Sequence, residues 1–316
     1  MTIGIPKGLL YSKYHVFAET FFSELGAEIA VSPDTNRAIL DAGTKRCVDE
    51  ACLPVKVYHG HVASLVNRCD AMLVPRFLRM EKGKSICPMF CGIVEMISAD
   101  IAGLPPLIDQ PILSLGEKSI WVWCKHTGRV LTRNTARIRQ AFDAAIKKQR
   151  TAFAGVLDSG YEKTVALIGH VYNIFDEFIN MNLIKKLRRL GLGVATQEIA
   201  GRQSIEGEVR RLYKPPFWYF ARDYYGAAVH LARTKKVDGI IYISAFSCGV
   251  DSVVIELIKA EIGVFPLLVL KIDEHTGEAG FDTRIEAFAD MLKGRPVRDN
   301  HDSAYGECVP RSQSAV

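Results

Sequence analysis

Three of the chain's eight cysteines stand where a thiolate could do chemistry. Cys52 lies in Asp49-Glu-Ala-Cys-Leu-Pro-Val-Lys56, where Leu53-Pro54 predicts a helix start with Cys52 in the cap region. Cys87 follows the strand Ala71 to Pro75 and the charged loop Arg76 to Ser85, and opens Cys87-Pro-Met-Phe-Cys-Gly92. Cys248 ends the apolar run that begins at Asp238 and leads into a helix at Gly249-Val-Asp-Ser252. Helix N-termini favour thiolates through the dipole and free N–H groups, and soft sulfur donors suit iron bonded to sulfide. A [4Fe-4S] cube has four corners, so three protein thiolates would leave one iron open to substrate, water or another sulfide. Cys87 and Cys91 are spaced to share a helix face, which makes Cys91 a fourth ligand or a spare.

The spacing alone leaves three readings open. The thiols hold a cluster; or they hold zinc together with His59, His61 or His275; or they are small buried side chains, the ordinary fate of free cysteine and the one expected for Cys47, Cys69 and Cys124. Cys308 is expected to do nothing.

Other groups stand at strand ends. In Asp273-Glu-His-Thr-Gly-Glu-Ala-Gly-Phe-Asp-Thr-Arg284, the residues Glu274, His275 and Glu278 are candidate catalytic groups that could relay protons, hold a metal or fix the Cys248 loop. The plainer reading is that Asp273 and Asp282 cap a turn and a helix while Arg284 pairs with Glu286 at the surface. His170 and Tyr172 end another strand, and a structural role is expected for that histidine. His59 and His61 lie two apart on one helix and so face different sides. Lys56 could supply positive charge to a cluster or an acyl-CoA phosphate, with a solvated lysine as the plainer reading, and Phe217-Trp-Tyr-Phe220 reads as interdomain packing rather than a cofactor platform.

Positioning these groups needs strands that alternate with helices. Strands are expected at Ile3 to Pro6, Ala27 to Ser32, Ala71 to Pro75, Leu107 to Leu113, Lys163 to His170, Val194 to Ile199, Gly239 to Phe246 and Phe265 to Ile272. Helices fall between them, including Tyr14 to Leu25, Pro88 to Ala102, Arg133 to Arg150 and Phe175 to Leu190. That alternation predicts an α/β protein of two doubly wound, Rossmann-like parallel-sheet domains, residues 1–155 and 156–294, with the cysteines in the cleft between them and a disordered tail over 295–316. The 316 residues, 48% hydrophobic and 24% charged, suit two globular domains. A net charge of +5, scattered along the chain, gives no nucleic-acid groove. Met1-Thr-Ile-Gly-Ile-Pro6 has no signal-peptide pattern, and no run reaches the ~20 apolar residues of a membrane span, so a cytoplasmic protein is expected.

Five segments together carry a resemblance: Ile3-Gly-Ile-Pro-Lys-Gly-Leu-Leu10, Val48 to Val62, Ile86-Cys-Pro88, Ala245-Phe-Ser-Cys-Gly-Val-Asp-Ser252 and Asp273 to Phe288. In this order they resemble the domain associated with acyl-CoA dehydratase activases, which is similar to the cluster-bearing subunits of 2-hydroxyacyl-CoA dehydratases and to double-cubane cluster proteins. The resemblance implies a [4Fe-4S] cluster, of double-cubane type in some of those proteins, on Cys52, Cys87 and Cys248. It implies low-potential electron transfer to a small substrate such as a CoA thioester, or its reductive dehydration. An iron-sulfur relay or scaffold that is not itself an enzyme is the alternative. Cys91 stands where such a motif has an apolar residue. The chain has no G-x-x-x-x-G-K-[ST] loop, so the ATP-hydrolysing activase is expected to be a separate partner, with a homodimer or a second dehydratase-like subunit completing the system.

Overall fold

The computed structural model describes residues 1–81, 83–152 and 155–294, and the expected tail with Cys308 lies outside them. Two four-stranded parallel sheets organise the chain. The first runs Glu28–Val31, Thr2–Ile5, Ala71–Leu73, Leu107–Ile108, and the second runs Leu192–Thr196, Lys163–Gly169, Gly239–Ala245, Leu267–Ile272. Numbered within each half, both orders are second, first, third, fourth. The chain therefore reverses direction across the sheet between the first and third strands of each half, the place where open α/β sheets form a crevice at their carboxyl ends. In the second half those two strands deliver His170 and, after a short turn, Cys248.

Burial explains why these segments are strands. All seven residues of Gly239–Ala245 are buried, as a central parallel strand covered by helices on both faces requires. Glu28–Val31 is an edge strand and keeps partial exposure. Among the described residues no helix is long and apolar enough to cross a membrane.

Several elements differ from the sequence expectation, each for a local reason. The helix expected over Phe175 to Leu190 shrinks to Leu183–Arg189. Its first part is held in turns, because Asp176 Oδ1 accepts from the Phe178 and Ile179 N–H groups while the Asn180 amide bonds the Asn173 and Ile174 carbonyls. Short polar side chains compete with the helical backbone in this way, and Met181 and Asn182 then take left-handed conformations. The helix expected over Pro88 to Ala102 breaks at Gly92 into Pro88–Cys91 and Ile93–Asp100. The loop Arg76 to Ser85 contains short strands: Arg76–Phe77 pairs with Pro111–Ile112, and Arg79–Glu81 with Lys84–Ser85. The segment Trp121 to Cys124 belongs to the helix Glu117–Thr127, and the last helix begins at Glu278.

Two close approaches fix the elements around Cys52. The helices Arg37–Thr44 and Leu53–Leu65 pack backbone to backbone, and a Cβ on Gly43 or Gly60 would stand 1.8 Å from the Lys56 carbonyl oxygen or 1.9 Å from that of Ile39. The Arg79–Ser85 hairpin crosses to the second half. There the Ser85 N–H donates to the Phe217 carbonyl at 2.9 Å, Lys84 pairs with Glu206 at 2.7 Å, and Glu81 pairs with Arg202 at 2.5 Å.

Candidate functional site

Cys52, Cys87 and Cys248 each occupy the residue just before a helix: Leu53–Leu65, Pro88–Cys91 and Gly249–Ile262 respectively. Pro54 and Pro88 pre-set the first-turn backbone of the first two, and Cys248 Sγ accepts from the Asp251 N–H at 3.5 Å. The three thiols line one cavity, about 470 Å³ of non-protein space that is partly open to solvent. Leu9, Val55, Ile86, Phe90, Trp218, Phe220 and Val250 make its wall largely apolar, and His170 and Tyr172 complete it. Such surroundings penalise charge. Burial pushes the Cys52 thiol up to about 11, with Cys87 adding to the rise, and burial likewise raises Cys87.

One charged pair is built into this wall. His170 Nε2 lies 3.4 Å from Asp251 Oδ1, the Tyr242 hydroxyl donates to the same oxygen at 2.9 Å, and Tyr224 Oη stands 2.8 Å from His170 Nδ1. Burial alone would lower the His170 pKa, but the Asp251 carboxylate and the Cys248 sulfur outweigh it and lift it to about 9. Asp251 stays below the usual carboxylate range despite its own burial, because His170 and the Tyr242 hydroxyl favour its charged form. Tyr172 stacks on the imidazole at 4.7 Å, and Phe220 and Tyr224 meet it edge-on. A cation is thus held beside Cys248 under aromatic cover.

A larger, more polar cleft adjoins the thiol cavity, and Leu9 and Tyr172 line both. Lys7, His15, Asp34, Thr35 and Asp176 face it from the two halves of the chain.

Cys91 lies elsewhere, with its thiol directed at the Phe77 carbonyl at 3.6 Å, and it does not line the cavity. Nor do the histidines considered as zinc partners. His61 Nδ1 and Nε2 stand 2.9 and 3.0 Å from the Ser32 and Thr35 hydroxyls, His59 sits by Asp100, and His275 is exposed. Glu274 and Glu278 border a separate cavity beside Asp273 and Arg37. Glu278 pairs with Lys186 at 2.6 Å, and Glu274 pairs with Lys56.

That last pair corrects the reading of Lys56 as solvated. Its side chain is 4% exposed, and its ammonium also donates to the Asp49 carbonyl at 2.8 Å, tying the loop before Cys52 to the end of Leu267–Ile272. Glu274→Gln is expected to cost roughly 2–3 kcal/mol of stability, because it leaves a buried ammonium uncompensated. Urea denaturation against the surface control Glu286→Gln checks it, and equal losses would refute a buried pair. Burial raises the Glu274 pKa but Lys56 lowers it further, so the folded value is depressed. The pair's stabilisation is present above the unfolded carboxyl pKa of about 4.3 and is lost as pH falls through the lower folded value.

The aromatic run does pack between the halves: Trp218 and Phe220 line the cavity, and Ser85 forms a bridge with Trp218. Sequence reasoning missed Asp251 as the partner of His170. An acid in the first turn of a helix is so common that its only signal was its place three residues after Cys248.

Residues 2–199 match the family described as CoA enzyme activase uncharacterised domain. The chain belongs to this family. The matched stretch holds Cys52, Cys87 and His170 and ends before Cys248, and membership links the chain to CoA enzyme activase systems. No curated protein matches it.

Proposed function

We propose that Cys52, Cys87 and Cys248 hold a [4Fe-4S] cluster through which the chain passes low-potential electrons to a small substrate, with a CoA thioester as the leading class. The observation that carries this reading is the convergence of three helix-capping thiols, from segments far apart in sequence, on one largely apolar cavity. The donor set fits: three soft sulfurs, with no fourth thiol on the wall among the described residues. Bound there, the cluster would supply one-electron reduction at an iron left free of protein ligands.

The chain's own residues have distinct parts. His170, fixed by Asp251 and Tyr224, holds positive charge beside Cys248 and a proton on Nε2 within reach of the cavity. Phe90, Tyr172, Trp218 and Phe220 limit water at the thiols, which strengthens the pull of that charge on groups beside it. The adjoining polar cleft offers a route for the substrate. Lys56 and Glu274 act as positioning residues for the loop before Cys52, and we assign His275 and Glu278 no contact with the thiols. The electrons would come from a separate ATP-hydrolysing activase, in keeping with the family link.

A non-enzymatic relay would be served by a cluster closed with a fourth protein thiol, and the position of Cys91 away from the wall favours the substrate reading. The test is iron and acid-labile sulfide analysis after anaerobic purification. About four irons per chain are expected, lost in Cys248→Ala and kept in Cys91→Ala. A colourless, iron-free protein after cluster reconstitution would end the redox reading.

A further inference from the structure

We propose that Cys47, His59 and Asp100 form a second metal site, separate from the thiol cavity, that takes a divalent transition metal, zinc by its donor set. Cys47 follows the helix Arg37–Thr44, His59 lies in Leu53–Leu65, and Asp100 ends Ile93–Asp100. Their sulfur, nitrogen and carboxylate ligand atoms all lie within 4.8 Å of one another.

The histidine carries the argument. His59 is fully buried, and its Nδ1 stands 2.8 Å from the Val55 carbonyl oxygen. A carbonyl can only accept, so Nδ1 bears the proton and Nε2 is turned toward Cys47 and Asp100. Asp100 Oδ2 is 3.2 Å from Nε2, yet Nε2 makes no hydrogen bond. A buried, unpartnered ring nitrogen facing a carboxylate oxygen and a sulfur is a donor set that a metal ion between them would satisfy. Zinc bonds of about 2.0 Å to nitrogen and oxygen and about 2.3 Å to sulfur put tetrahedral ligands roughly 3.3–3.5 Å apart, close to the His59–Asp100 separation.

The surroundings agree. A metal-bound imidazole needs a partner for its other nitrogen, and the Val55 carbonyl supplies it. The nearby Lys56 charge is already balanced by Glu274. The Asp100 side chain is 24% exposed, which leaves the fourth position to water. Bound metal would fasten the 45–52 loop, and with it Cys52, to the helix Ile93–Asp100.

The test is zinc content of the anaerobically purified full chain in wild type, Cys47→Ala, Asp100→Asn and Cys248→Ala, with circular dichroism to confirm that each folds. About one zinc per chain is expected in wild type and in Cys248→Ala. Loss of most of the zinc is expected in the other two, each of which alters a ligand. Cobalt(II) added to chelator-treated wild type should give the intense visible bands of a tetrahedral thiolate site, absent from Cys47→Ala. Zinc retained in Cys47→Ala, zinc lost with Cys248, or no uptake at micromolar free metal would each overturn the proposal. Iron is read in the same samples, so loss of the cluster and loss of this site are distinguished.

Discussion

Asp251→Ala should lower the free energy of unfolding by about 3–5 kcal/mol, the range for removing one partner of a buried ion pair. Asp251 is fully buried and serves two groups that have little access to water, the His170 imidazole and the Tyr242 hydroxyl. Alanine leaves the hydroxyl without its acceptor and the imidazole with its positive charge uncompensated. Asp251→Asn keeps an acceptor for Tyr242 and loses only the charge, so a smaller loss of about 1–3 kcal/mol is expected. Urea denaturation followed by circular dichroism measures both. A loss below about 1 kcal/mol for the alanine variant would mean that His170 and Tyr242 find other partners.

Gly60→Ala and Gly43→Ala should each cost about 3 kcal/mol or more, because the added methyl meets backbone rather than a side chain that can turn away. The only relief is separation of the helices Arg37–Thr44 and Leu53–Leu65, which moves Cys52 at the head of the second. Gly207 supplies a control of opposite sign. It lies within the helix Arg202–Val209 with open space around its Cβ position, so Gly207→Ala should stabilise by up to about 1 kcal/mol. Thermal unfolding of the three variants decides the matter, and equal behaviour at Gly60 and Gly207 would refute the close crossing.

The sheet architecture was legible because it rests on local patterns: short apolar runs, turn residues between them, and proline after two of the three cysteines. The same patterns placed Cys52, Cys87 and Cys248 at helix starts. What was not legible depends on pairing across the chain. Lys56 looks like any polar residue on a helix until Glu274, 218 positions later, covers it. His170 and Asp251 come from different strand-to-helix turns, and nothing near either residue marks the other as its partner. The Phe175 to Leu190 segment has a helix-like pattern, yet Asp176 and Asn180 bond the local backbone and leave only its last part helical. His59 carried a visible signal, but Cys47 and Asp100 acquire meaning only once three segments meet.

The position of Cys248 in the second half sets a timetable. It leaves the ribosome 161 residues after Cys87 (248 minus 87), a lag of roughly 8–30 s at about 5–20 residues per second. For most of that interval Cys52 and Cys87 are present without Trp218 or Phe220, and for all of it without the Asp251 carboxylate that holds the His170 charge. The hairpin that leads to Cys87 also waits for Phe217 and Glu206. The cavity is therefore among the last features of the molecule to be completed, and whatever occupies it must arrive after translation of the second half.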